Sequence, residues 1–222
     1  MNAVFKPSRR TFLVAGGSLA IAFTVPAFAQ APAGTPRLPG DLQTNRKLSM
    51  WLRIEAGGKV RLLVGKVEIG QGALTAVQQI CADELCVDFN RIVLTSGDTE
   101  LVPNEGATAG SLSMPGCGTA VRHAAADARQ ILVKLAAEKW QVDASKLDVE
   151  DGTIKGNGKA ISYWDLVSGQ ELEVEATGQG PLRPRDKRRY IGKSHPRIDL
   201  PAKMTGQAIF VQDLRPQGMV HG

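Results

Sequence analysis

Two segments of helical period constrain this chain more than any other feature, because each follows a strand-like run and each is entered through a glycine-bearing connection. In Ala73–Leu85, the residues Leu74, Val77, Ile80 or Cys81, and Leu85 recur at the three-to-four spacing of one helix face. In the longer segment, from Thr119 to about Trp140, the stripe is Val121, Ala125, Ala128, Leu132 and Leu135, and its alanines permit close packing. Amphipathic helices of this kind need a partner layer.

The remaining runs supply that layer. Met50–Ile54 and Val60–Val64 read as strands joined by the turn Glu55-Ala56-Gly57-Gly58, and Ile92–Ser96 reads as a third. Leu147–Glu150 and Thr153–Lys155 flank Asp151-Gly152, a two-residue hairpin signal. Ser162 is placed to cap a short helix through Val167. Pro103–Gly118 has no period and reads as a loop. The order predicts an α+β fold with helices packed on a mixed sheet.

The ends differ from this middle. Ser8-Arg9-Arg10-Thr11-Phe12-Leu13, an apolar run from Val14 to Val25, and Ala27-Phe28-Ala29 form a twin-arginine export signal over residues 1–29, cleaved after Ala29 or retained as an anchor. The run is short for a spanning helix and is weakened by Gly16-Gly17. Residues 30–46, rich in Pro, Gly and polar side chains, read as a linker. The domain proper then covers 47–180, a basic linker 181–196, and the start of a further unit 197–222. That last unit stops at Met219-Val220-His221-Gly222 within a strand-like run, which reads as truncation.

Charge and cysteine counts exclude several functions. The chain has 27 basic and 22 acidic residues, but Lys6, Arg9 and Arg10 lie in the signal, so the mature charge is only +2. The basic stretch with Arg183, Arg185, Lys187, Arg188 and Arg189 has no interleaved aromatics for base stacking, so it reads as a solvated linker rather than a nucleic-acid site or a subunit surface. Three cysteines, Cys81, Cys86 and Cys117, make no disulfide framework. Cys81 and Cys86 fall on different helix faces and read as buried thiols, not as metal ligands.

Chemistry is concentrated in the two glycine-bearing loops. The first, Glu68-Ile69-Gly70-Gln71-Gly72, places amide N–H groups at a helix start, where anionic or oxygen-rich ligands are favoured. Gln71 adds both a donor and an acceptor. A tight structural turn would account for this loop equally well. The second, Gly106–Ser113 followed by Met114-Pro115-Gly116-Cys117-Gly118, supplies the hydroxyls of Thr108, Ser111 and Ser113; its bland alternative is a flexible connector. Together they suit a polar cofactor with phosphate or pterin-like edges, without specifying which.

Several stretches carry a resemblance: Lys66 through Thr75, Gln79 through Leu85, Gly97-Asp98-Thr99 with Pro103, Thr108 through Ser113, and Gly118 through Arg122. They are similar to the molybdopterin-binding domain of xanthine dehydrogenases and aldehyde oxidases. Arg197 through Gly206 and Gly218 through Gly222 resemble the opening of that family's hammerhead domain. The signal, followed by the G-Q-G region ahead of the hammerhead, resembles the isoquinoline 1-oxidoreductase β-subunit branch.

The resemblance implies that Gly70, Gln71 and Gly72 contact the pterin and that Thr108, Ser111 and Ser113 hold the pterin or its phosphate end. It implies a molybdenum–molybdopterin cofactor, its cytosine dinucleotide form among the options, in a periplasmic hydroxylase of an N-heterocycle or aldehyde, with oxygen from water. It implies a small iron–sulfur subunit as partner, since three scattered cysteines hold no cluster. Compartment suggests a cytochrome c acceptor. The family's catalytic glutamate lies beyond this sequence, so the chain alone reads as incomplete. Glu68 and Asp98 read as structural, and His123 as exposed or satisfied within the fold. The competing readings are a non-catalytic exported domain for another anion and a truncated, inactive product.

Overall fold

The computed structural model describes residues 37–167, 172–207 and 210–220. The export signal expected over residues 1–29 lies outside the described residues. No helix among the described residues is long and apolar enough to cross a membrane.

The central layer is a three-stranded mixed sheet of β1 (Leu52–Glu55), β2 (Lys59–Val64) and β3 (Ile92–Ser96). β1 and β2 form an antiparallel hairpin with Leu52 opposite Leu62, and β3 runs parallel to β2 with Ile92 opposite Val60. A parallel pair needs a crossover. It is made by α1 (Ala73–Leu85), the shorter of the two expected helices. Against α1 packs α2 (Thr119–Trp140). Ala120, Ala124, Ala125, Ala128 and Ala136 of α2 are fully buried, so the helices approach closely, as the alanine pattern predicts. Leu135 leaves the expected stripe and is 39% exposed. A second sheet of β4 (Asp148–Glu150), β5 (Thr153–Gly156) and β6 (Lys159–Ser162) is antiparallel throughout. β6, short and with only Ala160 and Ile161 apolar, is absent from the sequence expectation. Ser162 does cap α3 (Tyr163–Val167), its Oγ accepting from Asp165 N at 3.1 Å.

Five expectations need correction. Residues 38–46 are no tether: Leu38 and Leu42 are buried, Gly40–Gln43 is a 3-10 helix, and Trp51 Nε1 donates to Asn45 O at 2.8 Å. The apolar pair at i and i+4 outweighs the Pro/Gly composition around it. Residues 48–50 form a 3-10 turn, so β1 starts later than expected. The second glycine loop ends in a π-helical turn, Ser113–Gly118, continuous with α2. The run at Met219–Val220 is not a strand; among the described residues of 197–220 the only α-helix is α4 (Leu200–Met204), and no sheet edge pairs with this segment.

The basic segment 181–196 is likewise no solvated linker. Three carboxylates on the two long helices fasten the chain from Thr177 to Ile191. Asp127, 2% exposed, accepts from Thr177 N, Gly178 N and Gly180 N. Glu84, fully buried, accepts from Arg183 N at 2.7 Å and pairs with Arg122 at 3.0 Å. Asp83 accepts from the amides of Arg189, Tyr190 and Ile191. A buried carboxylate is tolerable only when hydrogen-bonded, and backbone amides of an irregular segment need acceptors. Each group solves the other's problem.

This strap requires a glycine at position 180, where an added methyl would lie 2.5 Å from the carbonyl carbon of Ala126. Gly180→Ala is therefore expected to lower stability by about 1–3 kcal/mol through overpacking, read as a reduced urea midpoint; an unchanged midpoint would show that the strap yields freely.

Candidate functional site

The carboxyl ends of β2 and β3 open onto a cavity of about 450 Å³ bounded by Gly65, Val67, Gly97, Val102, Glu105 and Thr108. Ligands in sheets with parallel strands favour this end. Both glycine-bearing loops leave from its rim.

The first loop is closed on itself. The Glu68 carboxylate accepts from Gly70 N at 2.9 Å, Gly72 N at 2.7 Å and Leu74 N at 3.4 Å. Gln71 folds back, its Oε1 accepting from Ile69 N at 2.7 Å and its Nε2 donating to Val67 O at 3.0 Å. The expectation of free amides aimed at an anion is thus corrected: Glu68, two residues before the first glycine, already occupies them. Its structural role is as expected. Gly70 and Gly72 do adopt positive φ, +108° and +74°, and a side chain on Gly70 would meet only open space, so the backbone there is approachable. Arg197 clamps the loop from outside, donating to Gly70 O at 2.9 Å and lying 3.6 Å from Glu68. Asp199, held well below the usual carboxylate range by Arg197 and Lys203, anchors that arginine.

The second loop is tied to the first at one end. Thr108 Oγ1 accepts from Val67 N at 3.0 Å, and the Lys66 ammonium, on a residue 2% exposed, donates to the carbonyls of Glu105 and, at 3.0 Å, Ala107. Beyond Thr108 the loop makes no further contact with the first, and its own bonds are backbone ones, Leu112 N donating to Ala109 O at 3.2 Å. Among the described residues, no hydrogen bond reaches the hydroxyls of Ser111 or Ser113, and none joins them to the first loop. Gly110 and Ser111 take consecutive positive φ values, +63° and +58°, a conformation that costs free energy for serine. Ile69 and Leu112, 72% and 53% exposed, carry apolar surface on the two loops. Asp98 caps its own turn, accepting from Glu100 N at 3.0 Å, and His123 Nδ1 sits 3.2 Å from Gly178 O, both in line with their structural readings.

Behind the cavity lies a group with no counterpart in the sequence reading. The Asp41 carboxyl and the Cys117 thiol lie beside the Glu105 carboxyl. Glu105 Oε2 also accepts from Gly65 N at 2.6 Å. As carboxylates, Asp41 Oδ2 and Glu105 Oε1 are buried without a donor. A neutral Glu105 carboxyl costs less to bury there than a carboxylate does. Burial first, then Asp41, pushes the Glu105 carboxyl up to about 7. The three cysteines are buried and free, burial pushing their thiols up, and the described residues contain no group of His, Cys, Asp and Glu arranged to hold a metal.

Comparison with known proteins now places the chain. Residues 17–198 match the family described as the molybdopterin cofactor-binding domain. The chain belongs to that family. It is 34% identical over 219 residues to a nicotinate dehydrogenase subunit of Pseudomonas putida, covering 97% of this chain and 18% of that protein. It is 30% identical over 258 residues to the beta subunit of isoquinoline 1-oxidoreductase of Brevundimonas diminuta, covering 96% and 32%. It is also 30% identical over 223 residues to a membrane-bound aldehyde dehydrogenase (pyrroloquinoline-quinone) of Gluconacetobacter polyoxogenes, covering 97% and 29%. The chain therefore spans between about a fifth and a third of the length of these relatives.

The donor set of this molybdopterin-family chain fits such a ligand unevenly. The unpaired hydroxyls of Ser111 and Ser113 suit a phosphate-bearing end, whereas the first loop offers an approachable backbone with its amides already satisfied.

The carboxyl pair predicts a pH dependence. Between the ordinary glutamate value of 4.5 and about 7, the folded chain holds a proton at Glu105 that the unfolded chain has released, so stability falls as pH rises through that window. The Cys117 thiol faces the same pair and, pushed up by burial, stays neutral across it. Glu105→Gln is expected to flatten the decline, matching the parent at pH 5 and equalling or exceeding it at pH 8 in urea midpoint; an unaltered slope would contradict a proton held at Glu105.

Proposed function

We propose that this chain forms part of the cradle for a molybdenum–molybdopterin cofactor in an exported hydroxylase acting on an N-heterocycle or an aldehyde. The observation that carries this reading is the match of residues 17–198 to the molybdopterin-binding family, supported by open hydroxyls in the second loop. Ser111 and Ser113 donate to the phosphate end, while Thr108 holds the loop against Val67 and positions them. Gly70 and Gly72 contribute close backbone approach, and Gln71 contributes its second N–H and its remaining lone pairs. Ile69 and Leu112 offer apolar surface to a flat conjugated ring and exclude water beside it. When bound, the cofactor supplies the two-electron chemistry of hydroxylation, with water as the oxygen source. The protein's share is binding and orientation.

The same reading assigns electron transfer to a small iron–sulfur subunit, with the cytosine dinucleotide form of the cofactor and a cytochrome c acceptor as its further elements. Export by the twin-arginine route to the periplasm follows from Arg9, Arg10 and the flanking residues, since that route carries proteins already folded around a cofactor. Similarity to the subunits named above supports a multi-subunit enzyme.

Molybdenum and pterin analysis of the protein isolated natively with its genomic neighbours tests this. Bound molybdenum and pterin are expected, and a stable fold free of both would overturn the proposal. In that preparation the Ser111→Ala, Ser113→Ala double variant and Gln71→Ala are each expected to lower occupancy with unchanged thermal unfolding, the serine pair more strongly. Full occupancy in both would remove these residues from the site.

A further inference from the structure

The basic segment that the cofactor reading leaves unused forms one wall of a second cavity, of about 320 Å³. Its remaining walls are the middle of α2 and the start of β4. None of its lining belongs to either glycine-bearing loop. Arg129, Lys134, Arg183 and Lys187 face it against a single carboxylate, Asp148, four positive charges against one negative. Val133, Leu147 and Val149 supply an apolar surface.

These cations are poorly satisfied by the protein itself. Arg129 Nε is buried with no acceptor, although its other end reaches Pro181 O and lies 3.9 Å from Glu84. Arg183 is fixed in place, Nε donating to Lys187 O at 2.6 Å and one terminal nitrogen meeting the Cys86 thiol. The exposed ammonium groups of Lys134 and Lys187 meet no acceptor among the described residues. An orphaned buried N–H asks for an occupant, and like charges held around one concavity raise the local concentration of anions. The volume is at the lower end of small-molecule sites.

We propose that this cavity is a binding site for a small organic anion with an apolar body, of the aryl carboxylate or aryl phosphate class. The charged head meets Arg129, Lys134 and Lys187, and the body lies on Val133, Leu147 and Val149. Arg183 shapes the wall, because the buried Glu84 and Cys86 fix its backbone and guanidinium. The site stands apart from the cofactor cradle, and neither depends on the other.

Titration calorimetry of the full chain with phenyl phosphate tests it. One equivalent is expected to bind, with phenol silent and inorganic phosphate weaker. Lys134→Ala with Lys187→Ala is expected to weaken binding about tenfold or more, for loss of two charge-assisted contacts. Both side chains are exposed, so the melting temperature is expected to hold. The Ser111→Ala, Ser113→Ala variant is expected to bind phenyl phosphate as the parent does. Absence of binding at millimolar ligand, or binding indifferent to the lysine pair, would overturn the site. Binding lost in the serine variant would place the anion on the second glycine loop instead. Inorganic phosphate as tight as phenyl phosphate would overturn the apolar half of the assignment.

Discussion

A single carboxylate organises the first loop. Glu68, only slightly exposed, gathers the amides of Gly70, Gly72 and Leu74 and is itself held near Arg197. With these amides already bonded to Glu68, the loop is shaped before any ligand arrives. Preorganisation of this kind lowers the entropic cost of binding. It also changes what the loop offers, since a motif suited to wrapping an anion here wraps a side chain of its own.

The second loop takes its position from the first. The Lys66 ammonium crosses to the carbonyls of Glu105 and Ala107, and Val67 N meets Thr108. Below them, burial pushes the Glu105 carboxyl up to about 7, with the Asp41 carboxyl and the Cys117 thiol beside it. Beyond Thr108 the loop is held by backbone bonds alone, Leu112 N to Ala109 O and then the π-helical turn from Ser113, and the hydroxyls of Ser111 and Ser113 meet no partner among the described residues. The cradle is rigid at its base and open at its lip.

Much of the architecture was legible from periodicity. α1 and β3 fall where the spacing predicts them, and α2 does so apart from Leu135, because packing against neighbours enforces the pattern. What escaped were polar groups whose partners are remote in sequence. Asp83, Glu84 and Asp127 look like ordinary surface residues of helices, yet they bind amides about 50 to 108 positions away. That converts a basic stretch resembling a linker into a fixed strap. Leu38 and Leu42 were masked by surrounding prolines and glycines. At the site, G-Q-G and the serine-bearing loop were visible as motifs, but the occupancy of the first loop's amides was not. Glu68 alone, at two residues' remove, hinted at it. Lys66 stands at the end of an apolar strand, and that was the available sign of its burial.

Hydrogen exchange at the amides of Gly70 and Gly72, followed by NMR in the cofactor-free chain, tests the central claim most directly. The account predicts slow exchange at both in the parent chain and fast exchange at both in Glu68→Ala. Amides that exchange freely in the parent chain, and gain protection only when molybdopterin binds, would contradict it and return the first loop to the role of amide donor.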